Sequence, residues 1–244
     1  MPASSIRIGL YVNDPKATIL RHVRCLLNWE MRFHTVLRED LAALRPGDCD
    51  VLLLHGGWYG IDRIPSQDQH RFRTTPAHRK MGEAVRGFVR AGGGVVGICC
   101  GAFNVVWLGL LEAEISRSQG AGLHALEIVD ATHPIAKSVR RRAQGRRDRR
   151  WLPVPCVRVN GPIFFPKRKE QMVFSYDWEQ RLGAVLAGGY GRGRAVAISP
   201  HPEMTEDELE RYVTSTPRMP VAAMYRAAIL WAAGRGGGAP RARV

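Results

Sequence analysis

Residues 94–103 read Gly-Val-Val-Gly-Ile-Cys-Cys-Gly-Ala-Phe, and this stretch decides the fold that the sequence predicts. An apolar run leads into the pair Cys99-Cys100, which stands between Gly97 and Gly101, and a second apolar stretch with helical character follows. A strand that turns sharply into a helix needs small residues two positions before and two positions after the residue at the turn. That spacing selects Cys99, since centring the turn on Cys100 would put a bulky isoleucine where a small residue is needed. We therefore predict a buried strand, a tight turn at Cys99 and a helix.

Strands and helices alternate on both sides of this turn. Four further runs are short and rich in apolar or β-branched residues, as buried strands are; they cover residues 6–12, 33–37, 50–55 and 194–199. Other segments have apolar residues at helical spacing; they cover residues 17–30, 38–44, 80–91, 206–213 and 220–233. Because strands that alternate with helices form a parallel sheet with helices on both faces, we predict an α/β fold with a mostly parallel sheet.

The middle of the chain, residues 112–190, has a different pattern. Three isolated strand-like runs stand between turn signals, at residues 126–130, 156–159 and 172–177. We expect these runs to form antiparallel strands that extend one edge of the sheet, and we expect a hairpin turn at residues 191–194. The sequence shows no internal repeat and no interdomain linker, so we expect one domain over residues 1–233. Residues 234–244 have the composition of a flexible tail.

Cys99 stands where a nucleophile would project from the sheet. A thiol at the N-terminus of a helix lies at the positive end of the helix dipole, which lowers the thiol pKa and raises the thiolate fraction. The thiolate is the form that attacks an electrophilic carbon. The same residues also fit a small buried cysteine beside a glycine turn, so the spacing alone leaves both interpretations open.

His201 and Glu203 stand two residues apart, just after the predicted strand at residues 194–199. The carboxyl ends of parallel strands share one edge of the sheet, and doubly wound folds place their sites at that edge. Catalysis by cysteine needs a base within hydrogen-bond reach and a third group that orients the base. Cys99, His201 and Glu203 supply one residue for each role. Taken alone, His-Pro-Glu also fits a loop that begins a helix.

A glycine pair, Gly56-Gly57, follows the third predicted strand. Backbone amides exposed by such a turn could donate hydrogen bonds to a developing oxyanion, with the amide of Cys100 as a second donor. Gly56, Gly57 and Cys100 are therefore the oxyanion candidates, although a glycine pair after a strand is also common in a simple connection. Trp58 and Tyr59 come next, and they would either line the mouth of a pocket or cover the loop as surface aromatics.

Taken together and in this order, three segments resemble the class I glutamine amidotransferase-like superfamily: HGG at residues 55–57, GICCGA at residues 97–102 and HPE at residues 201–203. The resemblance covers most of the chain. Within that superfamily the chain is most similar to the domain at the amino-terminus of some eukaryotic biotin-protein ligases, which also occurs as stand-alone bacterial proteins. Asn160-Gly161 and residues 199–203 resemble further motifs of that domain.

The resemblance implies a flavodoxin-like sheet and a triad formed by Cys99, His201 and Glu203. Two residues depart from the glutamine-hydrolysing pattern: Phe103 stands where such proteins usually have Gln or Met, and His55 stands where they usually have proline. We therefore expect a carboxamide substrate and leave its identity open. Biotin ligation is not expected, because 244 residues leave no room for a ligase catalytic domain.

The function that these observations favour is a cysteine-dependent amidotransferase-like protein or amide hydrolase that works through a thioester intermediate. The alternative is a non-catalytic ligand-binding or regulatory protein of the same fold. The expected partners are a small-molecule amide substrate and, if ammonia is transferred, a separate synthetase. We expect no cofactor and no metal, because the histidines lack metal-site spacing and the five cysteines lack a CxxC motif.

The net charge of +14 is concentrated in part of the chain, since residues 140–150 contain seven arginines and one aspartate. A basic surface can bind nucleic acid by releasing counterions, but a local block supports that partner only weakly, and we do not expect it. Because like charges repel and the block has no apolar residue to anchor a strand, we predict an exposed, mobile loop between residues 137 and 151.

No apolar run approaches the roughly 20 residues that cross a bilayer. The first residues also lack the basic flank and cleavage site of a secretory signal. These observations lead us to expect a cytoplasmic protein without a membrane partner.

Overall fold

The structure is a computed structural model, and it describes residues 5–12, 18–45, 47–56, 64–65, 72–73, 75–116, 120–144, 154–177, 179–204 and 221–235. The predicted helix at residues 206–213, the aromatic pair at residues 58 and 59, and residues 236–244 of the expected tail lie outside these ranges. Residues 234 and 235 hydrogen-bond back to the last helix through their backbone N–H groups.

Thirteen strands and six α-helices lie within the described residues. The strands are β1 (Arg7–Tyr11), β2 (Arg32–Val36), β3 (Val51–Leu54), β4 (Ile64–Pro65), β5 (Phe72–Arg73), β6 (Gly94–Ile98), β7 (Ala113–Ser116), β8 (Ala121–Ile128), β9 (Val154–Val159), β10 (Ile163–Pro166), β11 (Met172–Asp177), β12 (Leu182–Tyr190) and β13 (Gly193–Ile198). The helices are α1 (Thr18–Asn28), α2 (Arg38–Leu41), α3 (Pro76–Arg90), α4 (Cys100–Trp107), α5 (Pro134–Gln144) and α6 (Val221–Ala232).

The main sheet has the strand order β2-β1-β3-β6-β13-β12-β11-β8-β9, with β10 and β7 pairing beside β12. The five strands from β2 to β13 run parallel. The strands from β12 onward are antiparallel. This architecture confirms the predicted α/β fold, in which a mostly parallel, flavodoxin-like core carries an antiparallel extension at one edge.

Helices cover the two faces of the parallel strands, and each strand feeds both cores because its side chains alternate between the faces. In β3, Leu53 belongs to one core, while Leu52 and Leu54 belong to the other. The first core takes its helical residues from α1, α5 and α6. The second takes them from α2, α3 and α4. The central strands β3, β6 and β13 are therefore buried on both faces, as their apolar sequences predict.

The strand register brings the ends of β3, β6 and β13 to a single edge. Leu54 is paired with Gly97, and Ile198 is paired with Ile98. The residues that follow these strands are His55, Cys99 and Ser199, so three sequence segments far apart in the chain meet at this edge.

The prediction of a loop across the arginine block is wrong for its first part. Helix α5 continues to Gln144, because Ile135, Ala136 and Val139 are fully buried and pack in the first core. These three apolar residues lie at helical spacing just before the arginines. Their burial stabilises α5, and the first arginines of the block belong to the same helix. Residues 145–150 lie outside the described part of the chain.

Other boundaries differ for local reasons. Helix α3 begins at Pro76, four residues before the predicted start, because the Thr75 side chain caps it by accepting the His78 backbone N–H. Strands β4, β5, β7, β10 and β12 were not predicted. The hairpin turn between β12 and β13 is confirmed, with Tyr190 paired to Gly193. Among the described helices, none is long and apolar enough to cross a membrane.

Candidate active site

The candidate site is built around the turn that joins β6 to α4. Cys99 lies at this turn with φ +52°, a conformation that residues other than glycine rarely adopt. Its backbone N–H donates to the Ile198 carbonyl over 2.9 Å, and its own carbonyl accepts from the Ala102 N–H over 3.0 Å. The turn is thus tied both to the end of β13 and to the first turn of α4.

Two glycines allow the turn to close. A Cβ atom on Gly97 would overlap the carbonyl of Gly101, and a Cβ atom on Gly101 would overlap the carbonyl of Leu54. Strand β6, helix α4 and strand β3 therefore approach one another too closely for any side chain at these two positions. The predicted tight turn, with small residues on both sides of Cys99, is confirmed.

His201 lies beside Cys99. A Cβ atom on Gly56 would stand 3.4 Å from the Cβ of Cys99 and 3.6 Å from Cε1 of His201, so Gly56 contacts both residues. The Cys99 thiol itself donates to the Val159 carbonyl over 3.5 Å. The backbone N–H of His201 donates to the Val157 carbonyl over 2.8 Å, which fixes the loop after β13 to strand β9.

His201 and Glu203 form a buried pair, with exposed fractions of 7% and 2%. Nδ1 of His201 and Oε1 of Glu203 are 2.7 Å apart. An ionised carboxylate can only accept, so the imidazole donates through Nδ1–H and its Nε2 is the nitrogen left for the site. Within the described residues, Nε2 of His201 and Oε2 of Glu203 make no hydrogen bond.

His201 and Glu203 shift each other's pKa in opposite directions. Burial alone would lower the pKa of His201, but its interactions with Glu203 and Cys99 outweigh burial and hold this pKa well above its ordinary value. Burial alone would raise the pKa of Glu203, yet its interactions with His201 and, after it, with His22 bring it down to about 2. Glu203 is therefore a carboxylate at neutral pH.

Two of the three oxyanion candidates, Gly56 and Cys100, lie within the described residues. Gly56 follows β3 and contacts Cys99. Cys100 is the first residue of α4, and the N–H groups of a helix's first turn point out of its end. Gly57 lies outside the described residues. The geometry therefore brings Gly56 and the Cys100 amide to the turn.

The turn at Asn160-Gly161 borders the same site. Asn160 has φ +53°, and its Oδ1 accepts the Gly120 N–H over 2.9 Å. A Cβ atom on Gly161 would overlap the Ser199 carbonyl, so this turn packs directly on the loop that carries His201. The Ser199 hydroxyl in turn shares a 2.7 Å hydrogen bond with the hydroxyl of Tyr176.

Helix α4 presents an aromatic pair one turn beyond the cysteine. The rings of Phe103 and Trp107 have centroids 5.2 Å apart and are tilted by 38°. Both side chains are partly exposed. Phe103, which departs from the glutamine-hydrolysing pattern, is thus part of an aromatic surface next to Cys99.

Sequence reasoning missed two buried polar residues on the far side of Glu203. His22 of α1 is fully buried, with Nε2 3.7 Å from Oε1 of Glu203. Tyr225 of α6 is also fully buried, and its hydroxyl lies 2.9 Å from Nδ1 of His22. The available signal was a histidine on the apolar face of a predicted helix, where a buried polar group needs a partner.

The part of the chain that the structure describes contains no cluster of three or more His, Cys, Asp or Glu side chains suited to hold a metal ion.

The chain was compared with family models, curated proteins and solved structures, and only the solved structures gave matches. No protein-family model matches the chain, and no curated protein matches it. A chain of the PurLQS structure from Thermotoga maritima is 14% identical, with 93% of this chain and 98% of that chain covered and a TM-score of 0.62. A glutamine amidotransferase from Thermotoga maritima is 15% identical, with coverages of 93% and 98% and a TM-score of 0.56.

A third similar structure, from Thermoplasma acidophilum, is described as one of the subunits of a GMP synthase. It is 14% identical, with 94% of each chain covered and a TM-score of 0.54. At these identities the likeness concerns the fold. The chain therefore shares the fold of solved glutamine amidotransferases over nearly its whole length.

Proposed function

We propose that this chain is a cysteine-dependent amidotransferase-like protein or amide hydrolase that acts on a small carboxamide through a thioester. Cys99 is the nucleophile, His201 carries the proton and Glu203 orients His201. The observation that carries the proposal is the assembly of these residues at one sheet edge: Cys99 projects at φ +52°, and His201 beside it is bound to Glu203 over 2.7 Å. The shared fold with glutamine amidotransferases supports it.

The first half of the reaction forms the thioester. The Cys99 thiol proton passes to Nε2 of His201, whose raised pKa favours the imidazolium form, and the thiolate sulfur attacks the carbonyl carbon of the amide. The carbonyl π electrons move to oxygen and give a tetrahedral oxyanion. His201 then returns its proton to the amide nitrogen, the C–N bond breaks, ammonia leaves and the acyl group remains on Cys99.

The second half restores the enzyme. His201 accepts a proton from water, the resulting hydroxide equivalent attacks the thioester carbon, and the second oxyanion collapses with cleavage of the C–S bond. The proton on His201 returns to the departing sulfur. The products are one carboxylic acid and one ammonia for each amide and each water consumed.

Oxyanion stabilisation is assigned to backbone amides. The proposed donors are the Cys100 amide at the start of α4 and the amide of Gly56, which lies beside Cys99. Gly57 stays a candidate on the basis of the sequence alone. The positive end of the α4 dipole favours the same negative charge.

Ammonia that is transferred rather than released needs an acceptor site, so we propose a separate synthetase partner for that case. The similar protein described as belonging to a GMP synthase supports an arrangement of this kind. The finer likeness to the amino-terminal domain of biotin-protein ligases stays part of the proposal, together with a single domain over residues 1–233.

One observation favours a second candidate, a non-catalytic ligand-binding protein of the same fold. The Cys99 sulfur lies 3.5 Å from the Val159 carbonyl, and only the protonated thiol can donate to that oxygen. A protein that keeps Cys99 in this contact would bind a ligand at the turn without attacking it.

The two candidates are separated by measuring ammonia release from a panel of carboxamides, with glutamine first. Steady release by the native protein, lost in Cys99→Ala and retained in Cys100→Ala, is the expected result. No release from any amide, combined with binding of one of them by the native protein and by Cys99→Ala alike, would establish the second candidate instead.

A further inference from the structure

The carboxylate of Glu203 is contacted from two sides. His201 donates to its Oε1 over 2.7 Å, and Nε2 of His22 lies 3.7 Å from the same oxygen, beyond hydrogen-bond distance. His22 comes from α1, a helix on the opposite side of the sheet from α4. A buried carboxylate is stable only where charges or donors surround it, so the state of His22 bears directly on Glu203.

Tyr225 completes this arrangement from α6. Its hydroxyl lies 2.9 Å from Nδ1 of His22. The ring is held edge-on against His22 at a centroid distance of 5.7 Å and against Trp29 at 5.2 Å. Tyr225 is fully buried, so its hydroxyl has a fixed direction.

His22 is neutral near pH 7. Burial is the largest influence on its pKa, and although Glu203 opposes it, the pKa falls to about 4. His55, His201 and Arg21 lower it further. A neutral imidazole carries one N–H, which sits on either Nδ1 or Nε2.

The surroundings select the tautomer. With hydrogen on Nε2, the N–H points its positive end at the Glu203 carboxylate, and Nδ1 accepts from the Tyr225 hydroxyl. With hydrogen on Nδ1, the lone pair of Nε2 would face the negative carboxylate and repel it. Burial raises the pKa of Tyr225 well above its ordinary value, so its hydroxyl remains a donor.

We infer that Tyr225 and His22 are positioning residues, which fix a hydrogen on Nε2 of His22 against Glu203 and thereby hold this carboxylate ionised and turned toward His201. The inference rests on the orienting role proposed above for Glu203. It extends the site from three residues to a line of five that runs Tyr225, His22, Glu203, His201 and Cys99, from one face of the sheet to its carboxyl edge.

The tautomer of His22 is measured by NMR on the protein labelled with 15N-histidine. Long-range correlations between the carbon-bound ring protons and the two ring nitrogens show which nitrogen carries the hydrogen. His22 should be neutral with its hydrogen on Nε2 near pH 7, and the Nδ1 proton of His201 should give a low-field signal. In Tyr225→Phe, which keeps the ring packing, His22 should become a mixture of tautomers and the His201 signal should move or broaden. Tyr190→Phe removes a hydroxyl at the far end of the sheet and should change neither.

Alkylation of Cys99 by iodoacetamide near neutral pH gives a second readout. We expect His22→Leu and Tyr225→Phe to slow it about tenfold, because both remove the buried hydrogen bond between Tyr225 and His22. We expect His22→Gln, whose amide can donate toward Glu203, to restore most of the rate. A merely structural role would not be rescued by the amide.

The outcomes separate this inference from the proposed function. A His22 that is protonated, or that carries its hydrogen on Nδ1, overturns the inference whatever Cys99 does. So does a Tyr225→Phe variant with an unchanged His22 tautomer. A native protein whose Cys99 alkylates no faster than a free thiol contradicts the proposed function, and the nitrogen spectra then decide the inference alone.

Discussion

Glu203 and His201 are separated by a single proline, yet Oε1 of Glu203 turns back to accept the Nδ1–H of His201 over 2.7 Å. The proposed base and the acid proposed to orient it therefore belong to one short loop after β13. The backbone N–H of His201 ties this loop to β9, and the Gly161 turn packs on it at Ser199. Because both residues lie on the same loop, their mutual geometry is largely independent of the turn between β6 and α4 that carries Cys99.

The two adjacent cysteines should differ sharply in reactivity. Only Cys99 has the φ of +52° that projects a side chain from the turn, whereas Cys100 is already within α4. We predict that Cys99→Ala abolishes rapid alkylation near neutral pH and abolishes turnover, while Cys100→Ala retains rapid alkylation. Mass spectrometry of iodoacetamide adducts over time measures both.

The three other cysteines, Cys25, Cys49 and Cys156, form no disulfide and serve as internal references in that experiment. Rapid labelling that survives in Cys99→Ala and disappears in Cys100→Ala would overturn the assignment of the nucleophile.

Removal of the orienting acid should impair the reaction less than removal of the base. In catalytic triads, loss of the nucleophile or base lowers kcat on the order of a million-fold, and loss of the acid costs on the order of a hundred-fold less. We predict that Glu203→Gln keeps measurable turnover and that His201→Ala does not. Ammonia release by the purified variants on the best amide measures the difference, and equal losses would show that Glu203 does more than orient.

Gly101→Ala should destabilise the fold, because its Cβ would overlap the carbonyl of Leu54 in β3. We expect the free energy of unfolding in urea to fall by about 2 kcal/mol or more, as overpacked sites do. Gly87→Ala is the matched control, since Gly87 also lies within a helix but has open space around it.

That control should be more stable than the native protein by about 0.5–1 kcal/mol, because alanine favours a helix over glycine. If both variants are more stable than the native protein, α4 does not pack against β3 as closely as described.

Stability should decrease as the pH falls from about 6.5 to 4. Burial lowers the pKa of His133 to about 4, against the opposing effect of Asp130, so in this range the unfolded chain binds a proton that the folded chain does not. Each such histidine contributes a slope of up to about 1.4 kcal/mol per pH unit. Urea unfolding at several pH values should show a shallower decrease in His133→Gln than in the native protein.

Exposed His34 provides the comparison for that experiment. His34→Gln should leave the slope unchanged, and an equal effect of the two substitutions would contradict the buried, neutral state of His133.

Local sequence was sufficient wherever a segment's structure depends on its own side chains. The turn at Cys99 follows from Gly97 and Gly101, because a strand-to-helix turn excludes side chains at those positions whatever the rest of the fold. The central parallel strands β3 and β6 followed from their apolar runs. Strand β12 did not, since its alanines and glycines have weak strand preference, and its nine residues are held by pairing with β13 on one side and β11 on the other.

The sequence by itself thus determined the α/β fold, the turn at Cys99, and the candidacy of His201 and Glu203 as its partners in the site. Each of these depends on the spacing of residues that are close in the chain. Only the tertiary structure decided what surrounds Glu203. His22 and Tyr225 are 203 residues apart in the chain, and they meet because α1 and α6 cover the same face of the sheet. It also decided that the arginines begin on a helix, because three buried residues of α5 pack in the core beneath them. Contacts of this kind depend on which helices share a face, and that depends on the order of the strands in the sheet.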